Sequence, residues 1–209
     1  MIIAIDAAST DLSVALAEPD GTLIAEDAWT SAQRQSAELL PRLLILLAGA
    51  GRPLVAATAL AVGTGPGSFT GLRVATALAK GLAIGLTRPA VGVPSLRAWL
   101  DADPGATAAV ARAGARDAYV LMRESDAPRI VDRDELDSLA RPLIAASELA
   151  AALGLDGSHP PRGAGAIARS AAERLATEPA GDDVRTLEPI YLRAPRGVEA
   201  ESSERVTWL

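Results

Sequence analysis

The sequence predicts an α/β fold, and three observations carry that prediction. An apolar run, Leu60-Ala-Val62, feeds a glycine-rich turn at residues 63–71, and a long alanine- and leucine-rich segment over 70–86 leaves it, giving strand, turn and helix in succession. Upstream, residues 1–6, 12–17 and 22–29 read as three antiparallel strands of a meander. Downstream of Asp101-Ala-Asp-Pro-Gly105, a cluster of turn formers and charge between two apolar segments, three further short strands over 107–111, 118–123 and 128–131 repeat the meander. The chain thus divides into a first unit, residues 1–100, and a smaller, less complete second unit, residues 101–209.

Each element has its own signal. Residues 1–6 are a buried strand ending in the carboxylate of Asp6, and residues 7–11 form a turn. The next strand alternates Leu12, Val14 and Leu16 with Ser13, Ala15 and Ala17, and Glu18-Pro-Asp-Gly21 turns it into the third strand. Residues 31–47 form a helix in which Leu39, Leu40, Leu43, Leu44 and Leu47 make a broad apolar stripe. Pro41 within it marks a kink or a late first turn. After the second helix come a short strand over 89–94 and a helix capped by Ser95. In the second unit, Ser147 caps a helix to about residue 153, another helix runs over about 166–175, and residues 187–193 are extended.

Composition narrows the class. Of 209 residues, 49% are hydrophobic and only 3% aromatic, and no cysteine is present, which excludes disulfides and thiol chemistry. No apolar run is expected to reach the length of a membrane span, and the chain starts in a strand without a basic leader, so a soluble cytoplasmic protein is expected. A net charge of −6 makes the chain alone a poor grip for a polyanion. The single histidine, His159, lies in a Ser-His-Pro-Pro turn, so histidine-cluster metal sites are excluded, and no G-x-S-x-G frames a serine.

The glycine turn leaves two readings open. Gly63, Gly65 and Gly67 allow backbone angles that other residues avoid, and Ser68 or Thr70 caps the helix behind them. Such a turn cradles a phosphate or serves a tight reversal packed on a neighbouring element; the spacing fits neither G-x-G-x-x-G nor a P-loop. The helix that follows repeats Ala77, Gly81 and Gly85 every four residues, at about 1 kcal/mol per glycine relative to alanine. A close backbone neighbour, in this chain or in another, accounts for such a face.

Three strands in a meander, a helix and a strand open a ribonuclease-H-like unit. In the actin, sugar-kinase and Hsp70 superfamily, the Asp and Ser/Thr of the first hairpin face nucleotide phosphates and their metal. Asp6, Ser9 and Thr10 stand in the equivalent places, and Asp6 alternatively satisfies backbone donors in its own turn.

The motif Gly65-Pro-Gly-Ser-Phe-Thr-Gly-Leu-Arg73, with Met1-Ile-Ile-Ala-Ile-Asp6 before it and Pro189-Ile-Tyr-Leu-Arg193 near the end, closely resembles the TsaB (YeaZ) family. Gln35-Ser-Ala-Glu-Leu-Leu-Pro41 is similar to a family stretch that usually begins with histidine, and a family Asp-Ala-Arg segment is degraded here over residues 112–119. The resemblance implies an α/β protein of the actin-like ATPase (ASKHA) superfamily with two ribonuclease-H-like domains. It also implies a non-catalytic subunit that supports TsaD in transferring threonylcarbamoyl to the tRNA adenosine beside the anticodon. TsaD holds its metal with an H-x-x-x-H pair, which a chain with one histidine lacks. Neither zinc ligands nor a nucleophile arrangement supports the family's older glycoprotease label.

The resemblance places the TsaD contact, and an alternative homodimer, on the two helices of the first unit. That assigns Gln35, Glu38, Leu39, Arg42, Leu43, Arg73, Val74, Ala77, Lys80 and Gly81 to the interface. Asp6, Ser9, Gly65, Gly67 and Ser68 are the candidate phosphate contacts of the glycine turn. TsaE is the further partner, tRNA is contacted mainly through partners, and ATP or ADP at the shared interface is the one candidate cofactor. The alternative is a stand-alone nucleotide-dependent kinase or hydrolase using Asp6 and the glycine turn, for which Gly163-Ala-Gly165 is the only second phosphate loop on offer.

Overall fold

The computed structural model describes residues 1–192 apart from 32, 115, 116, 155–157, 160 and 162. Arg193 of the late motif, Pro160 and Arg162 therefore lie outside the described residues. The first half runs β1 (Ile2–Asp6), β2 (Asp11–Ala17), β3 (Leu23–Thr30), α1 (Gln35–Gly49), β4 (Ala59–Gly65), α2 (Phe69–Leu86), β5 (Ala90–Pro94) and α3 (Ser95–Ala102). The second runs β6 (Ala108–Arg112), β7 (Ala118–Met122), β8 (Arg129–Val131), α4 (Arg133–Ser138), β9 (Leu143–Ala145), α5 (Ser147–Leu153), β10 (Ser158–His159) and α6 (Gly163–Thr177).

The first sheet has the order β3-β2-β1-β4-β5, with β1 antiparallel to β2 and parallel to β4. The second has the order β8-β7-β6-β9-β10, the same arrangement with shorter strands. It is smaller, as expected, but not incomplete: all five strand positions are filled. The sequence signal missed β9 and β10 because three and two residues are too few to show a period. It also read Ser158–His159 as a turn, whereas this main chain pairs in parallel with β9.

The alternation in β2 separates large from small residues, not buried from exposed. Leu12, Val14 and Leu16 pack with Ile3 and Ile5 beneath Leu39, Leu43 and Leu47 of α1 and Ala75, Ala79 and Ala83 of α2. Ala15 and Ala17 share the opposite face with Ile2 and Ala4, covered by Ala164, Ile167, Ala168 and Ala171 of α6. Each fully buried leucine or isoleucine contributes on the order of 2 kcal/mol, and alanine on both sides of the second layer lets α6 lie close to the sheet.

Several boundaries differ from the sequence expectation. α1 begins at Gln35 rather than 31, because the Ser31 amide still bonds to Thr10 O at 2.9 Å and the Ser31 hydroxyl accepts from the Arg34 amide at 3.3 Å. Pro41 lies in the body of α1, exposed, where its missing N–H costs one helical hydrogen bond. Ser95 and Ser147 are the first residues of their helices and cap neither: the N-cap positions fall on Pro94 and Ala146, which have no side-chain cap bond. α6 starts at Gly163, so Gly163-Ala-Gly165 is a helical turn rather than a loop. α2 does reach span-like length and hydropathy, 18 residues at 1.3, contrary to expectation; its Gly71, Leu72, Ala75, Thr76, Ala79 and Ala83 are buried in this fold.

After α6 the chain returns along the first sheet. The Asp182 amide donates to Ala90 O at 2.7 Å, Leu187 is buried in the first core, and the Ile190 amide donates to Thr64 O at 2.8 Å.

Candidate functional site

Asp6 ends β1 inside the molecule, 1% exposed. Its Oδ2 accepts from Trp99 Nε1 at 2.7 Å, and its Oδ1 accepts from Ser95 Oγ at 3.1 Å and the Ala8 amide at 3.2 Å. Burial pushes its pKa up to about 6, against the opposing pull of these hydrogen bonds. Ser95 Oγ in turn accepts from the Gly65 amide at 3.1 Å, linking the carboxylate to the glycine turn.

The turn is pressed against the hairpin. Gly65 takes φ +89°, a conformation suited to glycine. A Cβ at Gly63 would overlap Asp6 Oδ1 and stand 2.5 Å from Ser95 Oγ, and one at Gly67 would overlap the Ala8 carbonyl. The Ser68 amide donates to Ala8 O at 2.7 Å, and Ser68 Oγ caps α2 by accepting from the Gly71 amide at 3.2 Å. Ser9 Oγ closes on its own turn, accepting from the Asp11 amide at 3.2 Å and donating to Asp11 O at 3.1 Å. The donors that a phosphate would use at Gly65, Ser68 and Gly71 already have protein acceptors.

The second candidate loop is filled in the same way. At the start of α6 the Ala164 amide donates to Ser13 Oγ at 2.7 Å and the Gly165 amide to Glu26 Oε1 at 2.8 Å. The Ser147 amide at the start of α5 donates to Asp11 Oδ2 at 2.8 Å. Ser13, Glu26 and Asp11 all come from the β2–β3 hairpin, so the chain meets its own helix N-termini with oxygen acceptors. Sequence reasoning missed these three residues; a carboxylate or hydroxyl on a hairpin carries no sign of which helix it will meet.

The interface candidates fall into three groups. Gln35, Leu39 and Leu43 are buried within the chain, while Leu40, Leu44 and Ile45 face outward from α1. Glu38 and Arg42 are tied to β3: Trp29 Nε1 donates to Glu38 at 3.0 Å, and Arg42 meets Asp27 at 3.0 Å and lies 4.4 Å from the Trp29 ring centroid. Hydrogen bonds from Ser31 and Trp29 hold the Glu38 carboxyl below the usual range. On α2, Val74 packs half-buried on the core, and Lys80 Nζ donates to Leu187 O at 3.2 Å and Arg185 O at 3.4 Å. Arg73, Ala77 and Gly81 are exposed, as is Ile84 at 68%. A Cβ at Gly81 or Gly85 would meet nothing within 4 Å, so no described residue packs against α2 at these two positions.

Two five-stranded sheets of one order, each opened by a three-strand meander, define an α/β protein of the actin-like (ASKHA) class. The family model described as "TsaD: tRNA N6-adenosine threonylcarbamoyltransferase" matches residues 30–186. The tRNA threonylcarbamoyladenosine biosynthesis protein TsaB of Escherichia coli (strain K12) is 35% identical over 150 residues, 68% of this chain and 63% of that protein. The match thus spans just under two thirds of that relative's length. An uncharacterised protein of Mycobacterium tuberculosis (strain ATCC 25618 / H37Rv) is 34% identical over 207 residues, 93% of this chain and 92% of its own. A Pseudomonas aeruginosa crystal structure, described as an uncharacterised protein with similarity to peptidase YEAZ, superposes with TM-score 0.72 at 25% identity, covering 92% of this chain and 99% of that one. YeaZ from Pseudomonas aeruginosa shares the fold, with TM-score 0.70 at 23% identity over 91% of this chain and 99% of its own. The chain belongs to the family that the matching model describes, and among the named proteins it is similar to TsaB and YeaZ.

Proposed function

We propose that the chain is a non-catalytic subunit of the cytoplasmic machinery that makes threonylcarbamoyladenosine in tRNA, and that it binds a TsaD-type enzyme through the outer faces of α1 and α2. The open apolar face is the observation that carries this: Leu40, Leu44, Ile45 and Ile84 are exposed around the small residues Ala77, Gly81 and Gly85. A soluble chain rarely leaves such a patch without use, and helical glycines with open space beside them suit the close approach of another helix. Residues 1–100 then carry the partner-binding face, and residues 101–209 supply the second, smaller sheet and send α6 and the returning segment back onto the first. The homodimer of the isolated chain uses the same face, TsaE joins through the assembly, and ATP or ADP belongs at the joint interface. The acidic balance assigns tRNA contact mainly to the partners.

The stand-alone kinase or hydrolase reading has less support. Asp6 is enclosed by Trp99, Ser95 and Gly63, and the Gly65, Ser68, Gly71, Ala164 and Gly165 amides of the two glycine segments meet acceptors of the chain itself.

Light-scattering chromatography of the chain with the TsaD-type protein of its own genome tests the proposal. A one-to-one species is expected, formed at the expense of any homodimer. Gly81→Leu and Ala77→Leu should each abolish it while the variant keeps the circular-dichroism spectrum and melting temperature of a folded chain. Survival of the complex in both variants would place the contact elsewhere, and saturable micromolar binding of magnesium ATP with turnover by the chain alone would overturn the non-catalytic reading.

A further inference from the structure

We propose that the N-terminal end of α2 and the returning C-terminal segment together build an aromatic anchor, which docks a partner protein's helix whose apolar face carries a carboxylate. The inference rests on the scaffold reading above and adds Phe69, Tyr191 and Leu192 to its surface.

This chain has three Trp, two Tyr and one Phe, so each aromatic counts. Trp99 and Tyr119 are buried, as large rings ordinarily are. Phe69 and Tyr191 are instead 39% and 43% exposed, with ring centroids 5.3 Å apart and planes tilted by 44°. Arg73, one turn along α2, lies 5.2 Å from the Phe69 centroid and forms no ion pair with a carboxylate among the described residues. Leu192 extends the patch beyond Tyr191 and is also exposed.

The second half of the anchor arrives from 122 positions downstream of Phe69 by sequence number and is held in place. Lys80 secures the carbonyls of Leu187 and Arg185, Leu187 is buried in the core, and the Ile190 amide bonds to Thr64 O. Tyr191 is therefore positioned before any partner arrives, which reduces the ordering cost of binding. Rigid aromatic and arginine side chains in contact are the composition of interface hot spots.

Position and charge decide the occupant. Phe69, Arg73 and Ala77 follow one another at four-residue spacing over about 12 Å of the first turns of α2, so the anchor stands at the near end of the open face that Ala77 and Gly81 continue, within reach of one helix docked on that face. Arg73 presents a cation with room for a carboxylate, which fits an acidic residue at the matching end of that helix. A polyanion fits less well: Lys80 is engaged with the tail, the Glu188 charge lies near Tyr191, and the net charge is −6.

Calorimetric titration of the full chain with the TsaD-type protein of its genome tests this. Phe69→Ala and Tyr191→Ala should each raise Kd at least tenfold, and Tyr191→Phe should not. Arg73→Glu should weaken binding more than Arg73→Gln, and the glutamine variant should lose part of the salt dependence. Circular dichroism should show all five variants folded, since these side chains are half exposed. Wild-type binding with alanine variants within twofold of it would overturn the anchor and leave the scaffold reading standing. No binding by wild type would overturn both. Binding of an anticodon stem-loop by the chain alone, abolished by Tyr191→Ala, would overturn the protein occupant in favour of RNA.

Discussion

At the scale of one residue, Asp6 has the most to lose. Trp99, Ser95 and Ala8 all donate to a carboxyl group with almost no solvent, and desolvation raises its pKa from the ordinary 3.8 to about 6. Between those values the native protein holds a proton that the unfolded chain has released. This contribution to stability is therefore complete below about pH 4 and lost as pH rises through about 6, by roughly 3 kcal/mol at 1.36 kcal/mol per pKa unit. Asp6→Asn, which cannot ionise, removes it. The melting temperature of the variant relative to wild type should rise between pH 4.5 and pH 7.5; an unchanged difference would refute the assignment.

At the scale of an element, the glycines flanking and inside α2 look alike in sequence and have opposite uses. Gly63 in β4 is walled by Asp6 and Ser95, whereas Gly81 has open space where a Cβ would go. Gly63→Ala should cost several kcal/mol through overpacking and disruption of a buried polar group. Gly81→Ala should stabilise the isolated chain by up to about 1 kcal/mol, the difference in helix propensity. Urea titration of both variants reads the contrast directly, and a destabilised Gly81→Ala would mean that a neighbour lies against α2 after all. The sequence made the repeat of Ala77, Gly81 and Gly85 legible as one helix face. It did not show that this face points away from the sheet, because the alanines on the two sides of α2 differ too little in hydropathy to orient it.

At the scale of the molecule, the two halves are joined by polar contacts that sequence spacing does not reveal. Asp11 reaches the α5 amide, and Glu26 and Ser13 reach α6. Arg123 at the end of β7 donates to Leu100 O at 2.9 Å, Asp103 O at 2.6 Å and Ala106 O at 2.7 Å, fastening the segment that leads out of α3. Replacing Asp11 and Glu26 together with alanine should free the Ser147 and Gly165 amides. Hydrogen exchange at the starts of α5 and α6 should then accelerate at least tenfold while β1 and β4 stay protected. Equal protection in variant and wild type would show that packing alone holds these helices to the hairpin.

By itself the sequence determined the fold class, the strand–turn–helix unit at residues 59–86 and the family, through the periodicity of its strands and the long motif of the glycine turn. Local signals suffice for these, since hydropathy period and backbone restrictions act over a few residues. The fate of individual side chains was decided only by tertiary structure. Asp6 and Ser9 stood in superfamily positions for a phosphate, yet the approach of Trp99, Ser95 and the Ala8 carbonyl engaged the surrounding donors and acceptors. Leu39 and Leu43 belonged to the same stripe as Leu40 and Leu44, and only the direction in which α1 meets the sheet divided them between core and surface. Tyr191 became a neighbour of Phe69 because α6 packs on the first sheet and returns the chain there, a long-range event that no local pattern encodes.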